Sequence, residues 1–401
     1  MIQDEVAAHL GVARSAVAQI ELSNRSVSSL ELKRLAELYG RDLRDFLADE
    51  FDEGDALVAL FRVDPQIAED PSLNHILRRC AALCREATSL ERLLDLTERR
   101  VRPAQYDQPS PRGKWEAIQQ GEQVASLERR RLDLGHAPVW DVPENLEPQG
   151  VRCAEVPLPE DVSGLFLAGG EIGLCIVVNA EHHPRRRAFS YAHEYCHLLL
   201  DRSRRGNVSR QANRDELIEV RANSFAASLL LPAEGVRDFL RALGKADETR
   251  AAATAFDEAG SVVAQHRTPP HAQDIQLYDV VYLAHRFGVS FETAVYRLRN
   301  LRLLTEQEMN NFLAKKEEAA ALQHALDLSL PEERPDRRGL FRHHYLALGL
   351  EAYRRELISR RKLQELATFL EMSEADLNGV LETLSLQEDA EMGPEDVSLP
   401  E

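Results

Sequence analysis

The stretch AFSYAHEYCHLLLDR, residues 188–202, places two histidines and a glutamate inside an apolar run. Burying an imidazole or a carboxylate is costly unless a hydrogen bond or a metal ion satisfies it. On a helix, His193 and His197 are four residues apart and lie on the same face, so both imidazoles can meet one ion. Glu194 can then take a proton from water at the open coordination position. This spacing is typical of the H-E-x-x-H helix of zinc peptidases.

A catalytic zinc site uses three protein ligands and keeps one position open. The best candidate for the third ligand is Glu219, on a second amphipathic helix in DELIEVRANSFAASLLLP (215–232). Asn223 lies four residues further on the same face, where its amide could orient a ligand imidazole. The alternative is that the histidines form an exposed helix stripe and that Glu219 is a solvated charge. The flanking apolar residues favour the metal site.

Three short apolar segments directly precede the motif and predict strands: VRCAEVPL (151–158), GLFLAG (164–169) and GLCIVVN (173–179). Most of the remaining chain has helical periodicity. The predicted fold is therefore mainly α with an α+β, zincin-like core. In it, a small β-sheet packs on the H-E-x-x-H helix and is flanked by helical domains of the helix-turn-helix type.

Composition shifts and proline-rich stretches divide the chain into six predicted regions. The first four are a helix-turn-helix over 1–51, a helical linker over 52–101, a Pro-rich linker over 102–113 and the zincin-like core over 114–245. The fifth, over 246–305, consists of a loop or insertion (247–275) and a helix-turn-helix-like module. The sixth is a helical region with an acidic tail over 306–401.

The 401 residues carry a net charge of −18, which opposes non-specific binding to nucleic acid by the protein as a whole. No apolar run is long enough for a membrane helix, and the N-terminus lacks a signal pattern, so a cytoplasmic location is expected. The five cysteines are scattered and fit a reducing compartment. Cys80 and Cys84 lie one helical turn apart; a metal or redox pair is possible, but buried helix positions are favoured. For His182 and His183, an exposed loop is favoured over a second metal site.

The segment QDEVAAHLGVARSAVAQIELSNRSVSSLELKRLAELYG, residues 3–40, resembles the helix-turn-helix of the Xre/lambda-repressor type, although the first helix of that family is missing. The resemblance places a second helix in the major groove, with Arg14, Ser15 and Gln19 toward the bases and Gln3 near a phosphate. Residues 1–36 carry equal numbers of acidic and basic side chains. A domain for dimerisation or partner docking is therefore the alternative to DNA binding.

The run DVSGLFLAGGEIGLCIVVNAEHHPRRRAFSYAHEYCHLLLDR (161–202), followed by EVRANSFAASLLLP (219–232), resembles the ImmA/IrrE family of metallopeptidases. The resemblance covers about residues 110–305. It implies that His193, His197 and Glu219 bind zinc and that Glu194 is the general base. One departure is Arg221, where the family more often has an acidic or amide residue; it is expected to lie off the metal face.

A group that stabilises the transition state is also expected, with Tyr278, Tyr282 and His271 as candidates.

Together these patterns predict a zinc-dependent endopeptidase with its own DNA-binding module, and hence a regulator that forms a possible homodimer and does not bind membranes. The resemblance suggests a transcriptional repressor as the protein substrate, cleaved in a stress or phage-type response. Two alternatives remain: a transcription factor whose zincin-like domain is a non-cleaving sensor or docking domain, and a purely structural zinc domain. The intact Glu194 favours the enzyme, because a structural site needs ligands but no base.

Overall fold

The computed structural model describes residues 3–39, 46, 71–96, 102–202, 206–210, 213, 215–245, 250–257, 260–267, 274–328, 342–370 and 372–384. Its helices are α1 (Gln3–Leu10), α2 (Arg14–Glu21), α3 (Ser29–Tyr39), α4 (Pro71–Leu93), α5 (Lys114–Arg131), α6 (Val142–Leu146), α7 (Pro184–Leu200), α8 (Leu217–Leu230), α9 (Ala233–Ala242), α10 (Leu277–Arg286), α11 (Phe291–Asn300), α12 (Glu306–Ala314), α13 (Lys316–Ala325), α14 (Arg342–Arg354), α15 (Arg360–Phe369) and α16 (Glu374–Thr383). Its strands are β1 (Val151–Val156), β2 (Val162–Gly169), β3 (Gly173–Asn179), β4 (Gly206–Arg210), β5 (Arg250–Asp257) and β6 (Gly260–Arg267).

A mixed four-stranded sheet has the order β1-β3-β2-β4. β1 runs parallel to β3, whereas β2 is antiparallel to both β3 and β4. The three predicted strands are present, and so is the predicted fold class: a mainly helical chain with a small sheet on the H-E-x-x-H helix. β4 was not predicted, because the short segment that forms it has no run of alternating apolar residues.

Alternate residues of the strands enter two different cores. Phe166 and Ile176 face α7 and α8 and pack in a core that includes Ala192 of the H-E-x-x-H helix. On the other face, Leu165 and Val177 pack with residues of α4, α14 and α15. The central strands are therefore apolar on both sides, which explains their nearly continuous apolar sequence.

The helix α4 lies within the segment 52–101, predicted as a helical linker, and it packs into the second core. Within the described part of that segment, Leu73, Leu77 and Leu83 are fully buried in the second core. The physical reason is that the second apolar face of the sheet must be covered, and the amphipathic α4 covers it together with α14 and α15. Cys80 and Cys84 are buried in α4, as predicted.

α1, α2 and α3 form a small cluster around Val6, Leu10 and Val17, with Gly11 at φ +71° in the turn between the first two helices.

Residues 250–257 and 260–267, predicted as a loop or insertion, instead form an antiparallel hairpin. The prolines and polar residues around the hairpin dominate the sequence pattern and hide the two strands.

Among the described helices, none is long and apolar enough to cross a membrane.

Candidate metal centre

The helix α7 carries the motif into the interior of the protein. It begins at Pro184, and the side chain of His183 accepts a hydrogen bond from the Arg185 backbone N–H at its start. A proline at the first helical turn costs no hydrogen bond, because that N–H has no partner within the helix. From Ala188 onward the helix packs between the sheet and α8, so that His193, Glu194 and His197 are all buried.

The helix α8 brings Glu219 to the two histidines. α5 packs closely against α8, and a Cβ on Gly121 of α5 would meet the Arg221 carbonyl oxygen at less than a van der Waals distance. Glycine is therefore needed where the two helices touch. This contact holds α8 close to α5.

The three predicted ligands come together. His193 Nε2 lies 3.0 Å from Glu219 Oε2 and 3.1 Å from His197 Nε2, and His197 Nε2 lies 3.3 Å from Glu219 Oε1. Donor atoms that surround one zinc ion tetrahedrally at 2.0–2.1 Å are themselves ~3.3 Å apart. The donor set and its spacing therefore fit one zinc-sized ion. The three residues are the group in the described part of the chain that could hold a metal ion, and we call them the metal-binding cluster.

The electrostatics of the cluster favour a cation. Burial opposes ionisation of Glu219, but the neighbouring His197 and His193 hold the pKa of its carboxyl well below the usual range. Burial likewise lowers the pKa of His197, but Glu219 and Asp201 outweigh it and raise that pKa to about 10. Buried carboxylates thus make it favourable to keep positive charge at this point, whether it is a proton or a metal ion.

Both imidazoles are held by partners on their other nitrogens. His193 Nδ1 lies 2.9 Å from Asn223 Oδ1, the contact that the sequence predicts. His197 Nδ1 lies 2.9 Å from Asp201 Oδ2, and Arg221 Nη2 donates to both carboxylate oxygens of Asp201 at 2.6 and 2.8 Å. Such partners fix the orientation of the ring and the nitrogen that can bind a metal.

Asp201 and Arg221 were not identified as site residues from the sequence. Asp201 lies four residues after His197, so the spacing that pairs the two histidines also pointed to it. Arg221 does lie off the metal face, as predicted, but it acts on the site through Asp201. It is buried, so the pair forms an ion pair shielded from solvent.

Glu194 is fully buried, and neither of its carboxylate oxygens has a hydrogen-bond partner among the described residues. Burial raises the pKa of its carboxyl, although the positive charge of the two histidines opposes the shift. A Cβ on Gly164 of β2 would lie 2.9 Å from the Val177 carbonyl oxygen and 3.2 Å from Cγ of Glu194. Glycine is therefore needed at position 164, because a Cβ there would displace the Val177 carbonyl and crowd the Glu194 side chain.

The metal-binding cluster and Glu194 open into a cleft of about 360 Å³. Its other lining residues are Ser163, Arg186, Phe189, Ser190, Ser209, Arg210 and Asn223. Neither Tyr278 nor Tyr282 lines this cleft, and the ring of Tyr278 instead lies 5.0 Å from Nζ of Lys245. His271 lies outside the described residues. The arginines that line the cleft are Arg186 and Arg210, which were not among the named candidates for a group that stabilises the transition state.

The predicted DNA-contacting residues occupy the surface of α1 and α2. Arg14, Ser15 and Gln19 are exposed on α2, whereas Gln3 is partly buried. Gln3 donates a hydrogen bond to Glu21 at 2.6 Å, and Arg14 Nε lies 3.4 Å from the Gln3 side-chain oxygen. The exposed positions are available to a partner, while Gln3 connects the two helices.

Comparison with known families adds two matches. Residues 147–299 match the family model of the IrrE N-terminal-like domain, a family of metallopeptidases, and residues 1–46 match that of a helix-turn-helix domain. No curated protein matches the chain. Both resemblances predicted from the sequence are thereby confirmed. The chain combines a DNA-binding type of domain with a peptidase-family domain that contains a buried His-His-Glu cluster.

Proposed function

We propose that the peptidase-family domain is a zinc-dependent endopeptidase, and that the chain is a regulator that cleaves a transcriptional repressor in a stress or phage-type response. His193, His197 and Glu219 are the proposed zinc ligands, and Glu194 is the proposed general base. The observation that carries the proposal is the combination of three converging donor atoms with a fully buried carboxylate beside them.

The residues of the site fit the proposed chemistry. A zinc ion would supply a Lewis acid for a peptide carbonyl and for water. Glu194 accepts a proton from the attacking water and later delivers it to the departing amine nitrogen. Its raised pKa suits this exchange, because a base with a pKa closer to neutrality both takes and releases the proton. Asn223 and Asp201 keep the two imidazoles in the required orientation.

A peptide is the substrate that suits the shape of the cleft. Ser209 and Arg210 belong to β4, one of the two edge strands of the described sheet, and both line the cleft. β4 pairs with β2 on one side, and no strand of the described residues pairs with its other side. An extended segment of a protein substrate can therefore pair with this edge and present its backbone to the metal centre.

The unused hydrogen-bonding capacity of Glu194 argues against a purely structural zinc domain. A fully buried carboxylate without a close hydrogen bond is unfavourable for folding, and a structural site gains nothing from it. A non-cleaving sensor retains the ligands but does not need Glu194. The enzyme is the proposal that uses all four residues.

The helix-turn-helix makes DNA the second proposed partner. Arg14, Ser15 and Gln19 are exposed on the helix that reads bases in this type of domain. Such domains bind two-fold sites as dimers, so a homodimer is part of the proposal. Because the chain as a whole carries −18 charges, we expect the contact with DNA to be confined to this domain.

The test compares wild type with Glu194→Gln for digestion of candidate repressors from the same genome. The glutamine keeps the size of the side chain and removes the proton acceptor, so cleavage is expected to fall ~10²–10⁴-fold while zinc is retained. Glu216→Gln is the matched control, because Glu216 is exposed one turn before Glu219. Equal cleavage by Glu194→Gln and wild type would exclude this carboxylate as the base. Absence of cleavage by either form, with unchanged induction of target genes in cells, would favour the sensor.

A further inference from the structure

A second cavity, of about 760 Å³, shares no lining residue with the cleft of the metal centre. It lies between α5, the C-terminal end of α8, the N-terminal end of α9 and the end of α11. Its volume is in the range of sites for small ligands, ~300–1,000 Å³. We call it the basic cavity, because five arginines line it: Arg129, Arg130, Arg237, Arg297 and Arg302.

The charge of the basic cavity differs from that of the whole chain. Three carboxylates also line it, those of Glu122, Asp133 and Glu234, and two of them are engaged with arginines. Glu122 pairs with Arg297, and Glu234 pairs with Arg237. In a chain of net charge −18, a concave surface with more cations than anions is a local exception that suits an anionic ligand.

Arg129 is buried in the wall of the basic cavity without a carboxylate partner among the described residues. Its guanidinium donates to the carbonyl oxygens of Gly135 at 2.8 Å, Ala137 at 2.5 Å and Leu229. Burial lowers the pKa of Arg129 to about 10. Its hydrogen bonds are thus satisfied while its charge is not balanced, and an anion in the cavity would balance it.

A hydroxyl without a hydrogen-bond partner and a helix N-terminus without a side-chain cap also line the basic cavity. Ser228 is 4% exposed, and its hydroxyl has no hydrogen-bond partner among the described residues. α9 begins after Pro232 without a side-chain cap, and Pro232, Ala233 and Glu234 at this helix end line the same cavity. Free N–H groups at a helix N-terminus attract phosphates and other anions. The buried hydroxyl is an independent sign of a missing polar partner.

The rim of the basic cavity carries an aromatic surface. The Trp115 side chain is 58% exposed, and the Arg302 guanidinium lies 6.0 Å from the centroid of its ring. Arg302 itself has a φ of +60°, a conformation that glycine adopts more easily. An exposed indole beside a guanidinium is a surface on which a planar ring stacks favourably.

We propose that the basic cavity binds a small phosphorylated ligand with a planar ring, of the nucleotide class. The phosphate would contact Arg130 and the start of α9, and the ring would stack on Trp115 beside Arg302. This site does not depend on the proposed peptidase activity. It lies on the helix that carries Glu219, because Ser228 is near the C-terminal end of α8.

Fluorescence gives a direct test, since the chain has two tryptophans and only Trp115 lines the basic cavity. In the full-length Trp140→Phe protein, the emission reports Trp115 alone. We expect a saturable change of this emission on titration with AMP, and weaker binding of inorganic phosphate. No saturable change with millimolar AMP would overturn the proposal. Equal affinities for AMP and phosphate would overturn the role of the ring, and tighter binding of an acidic peptide would overturn the ligand class.

Variants in the same Trp140→Phe background locate the site. Arg130→Gln with Arg302→Gly removes two exposed cations, and glycine keeps the left-handed backbone at position 302. Affinity for AMP is expected to fall at least ~10-fold, since charge-assisted hydrogen bonds are lost. Arg241→Gln is the control, because Arg241 lies on α9 outside the lining of the cavity. Unchanged affinity in the double variant, or an equal loss in the control, would place the binding elsewhere.

Discussion

The substitution Asp201→Asn tests how the metal centre is supported. Asp201 accepts from His197 Nδ1 at 2.9 Å and from Arg221 at 2.6 and 2.8 Å, and it is 8% exposed. Asparagine keeps an oxygen for His197 but loses the charge that balances Arg221 and makes the imidazole a stronger ligand. Partners of this kind typically change metal affinity 10–100-fold, or about 1.4–2.7 kcal/mol. We therefore expect zinc affinity to fall by that factor, measured by competition with a chromophoric chelator.

Stability must be measured beside affinity, because Asp201→Asn leaves Arg221 buried without its counter-ion. Breaking a buried ion pair from one side typically costs about 3–5 kcal/mol of folding free energy. The double variant Asp201→Asn with Arg221→Met removes both charges and should recover stability but not zinc affinity. Asp238→Asn is the control, because Asp238 forms an ion pair of 2.9 Å with Arg241 on the surface. A folded Asp201→Asn protein that binds zinc as tightly as wild type would refute the reasoning.

Four further predictions concern the pH dependence, the space around Glu194 and the contact with DNA. Despite burial, the neighbouring carboxylates raise the pKa of His197 to about 10, so a zinc ion must displace a proton from this imidazole. The affinity for zinc, measured by chelator competition, should therefore rise about tenfold per pH unit from pH 7 to 9. A flat profile would contradict this. In the metal-free protein the same group stabilises the fold at pH below its unfolded pKa, and denaturant titration should show that contribution being lost as the pH rises through 10. Gly164→Ala should displace Glu194 or the Val177 carbonyl beside it and lower cleavage ~100-fold, with the fold checked by circular dichroism and zinc by elemental analysis. Arg14→Ala and Gln19→Ala should each weaken binding to one operator by about 1–3 kcal/mol in gel-shift titrations, whereas no shift of any promoter fragment at low salt would favour a docking domain.

More of the metal centre than of the surrounding cleft could be predicted from the sequence, because the spacing of residues along a helix fixes which side chains share a face. Residues four apart share a helix face, which brings His193 to His197 and Glu219 to Asn223. The distance between α7 and α8, by contrast, depends on how their side chains pack together in the core, which no local pattern reveals. The donor distances could therefore be obtained only from the folded chain.

The same distinction explains what the sequence missed. Arg221 and Asp201 lie on different elements, so their ion pair depends on the packing of α7 against α8 and not on spacing along the chain. The residues of the cleft beside the metal-binding cluster come partly from β4, whose strand character was not visible. The packing of α4 against the sheet was not predicted, because helical periodicity shows that a helix has an apolar face but not which surface covers it.

The central claim is tested most directly by the zinc content of the purified protein, compared between wild type and variants of the proposed ligands. Elemental analysis should find about one zinc per chain in wild type and in Glu216→Gln, and a sharp loss in Glu219→Gln and His193→Ala. Glu216 and Glu219 are three residues apart, but only Glu219 is buried against the histidines. Full zinc in either Glu219→Gln or His193→Ala, with the fold intact by circular dichroism, would contradict the assignment of the metal centre.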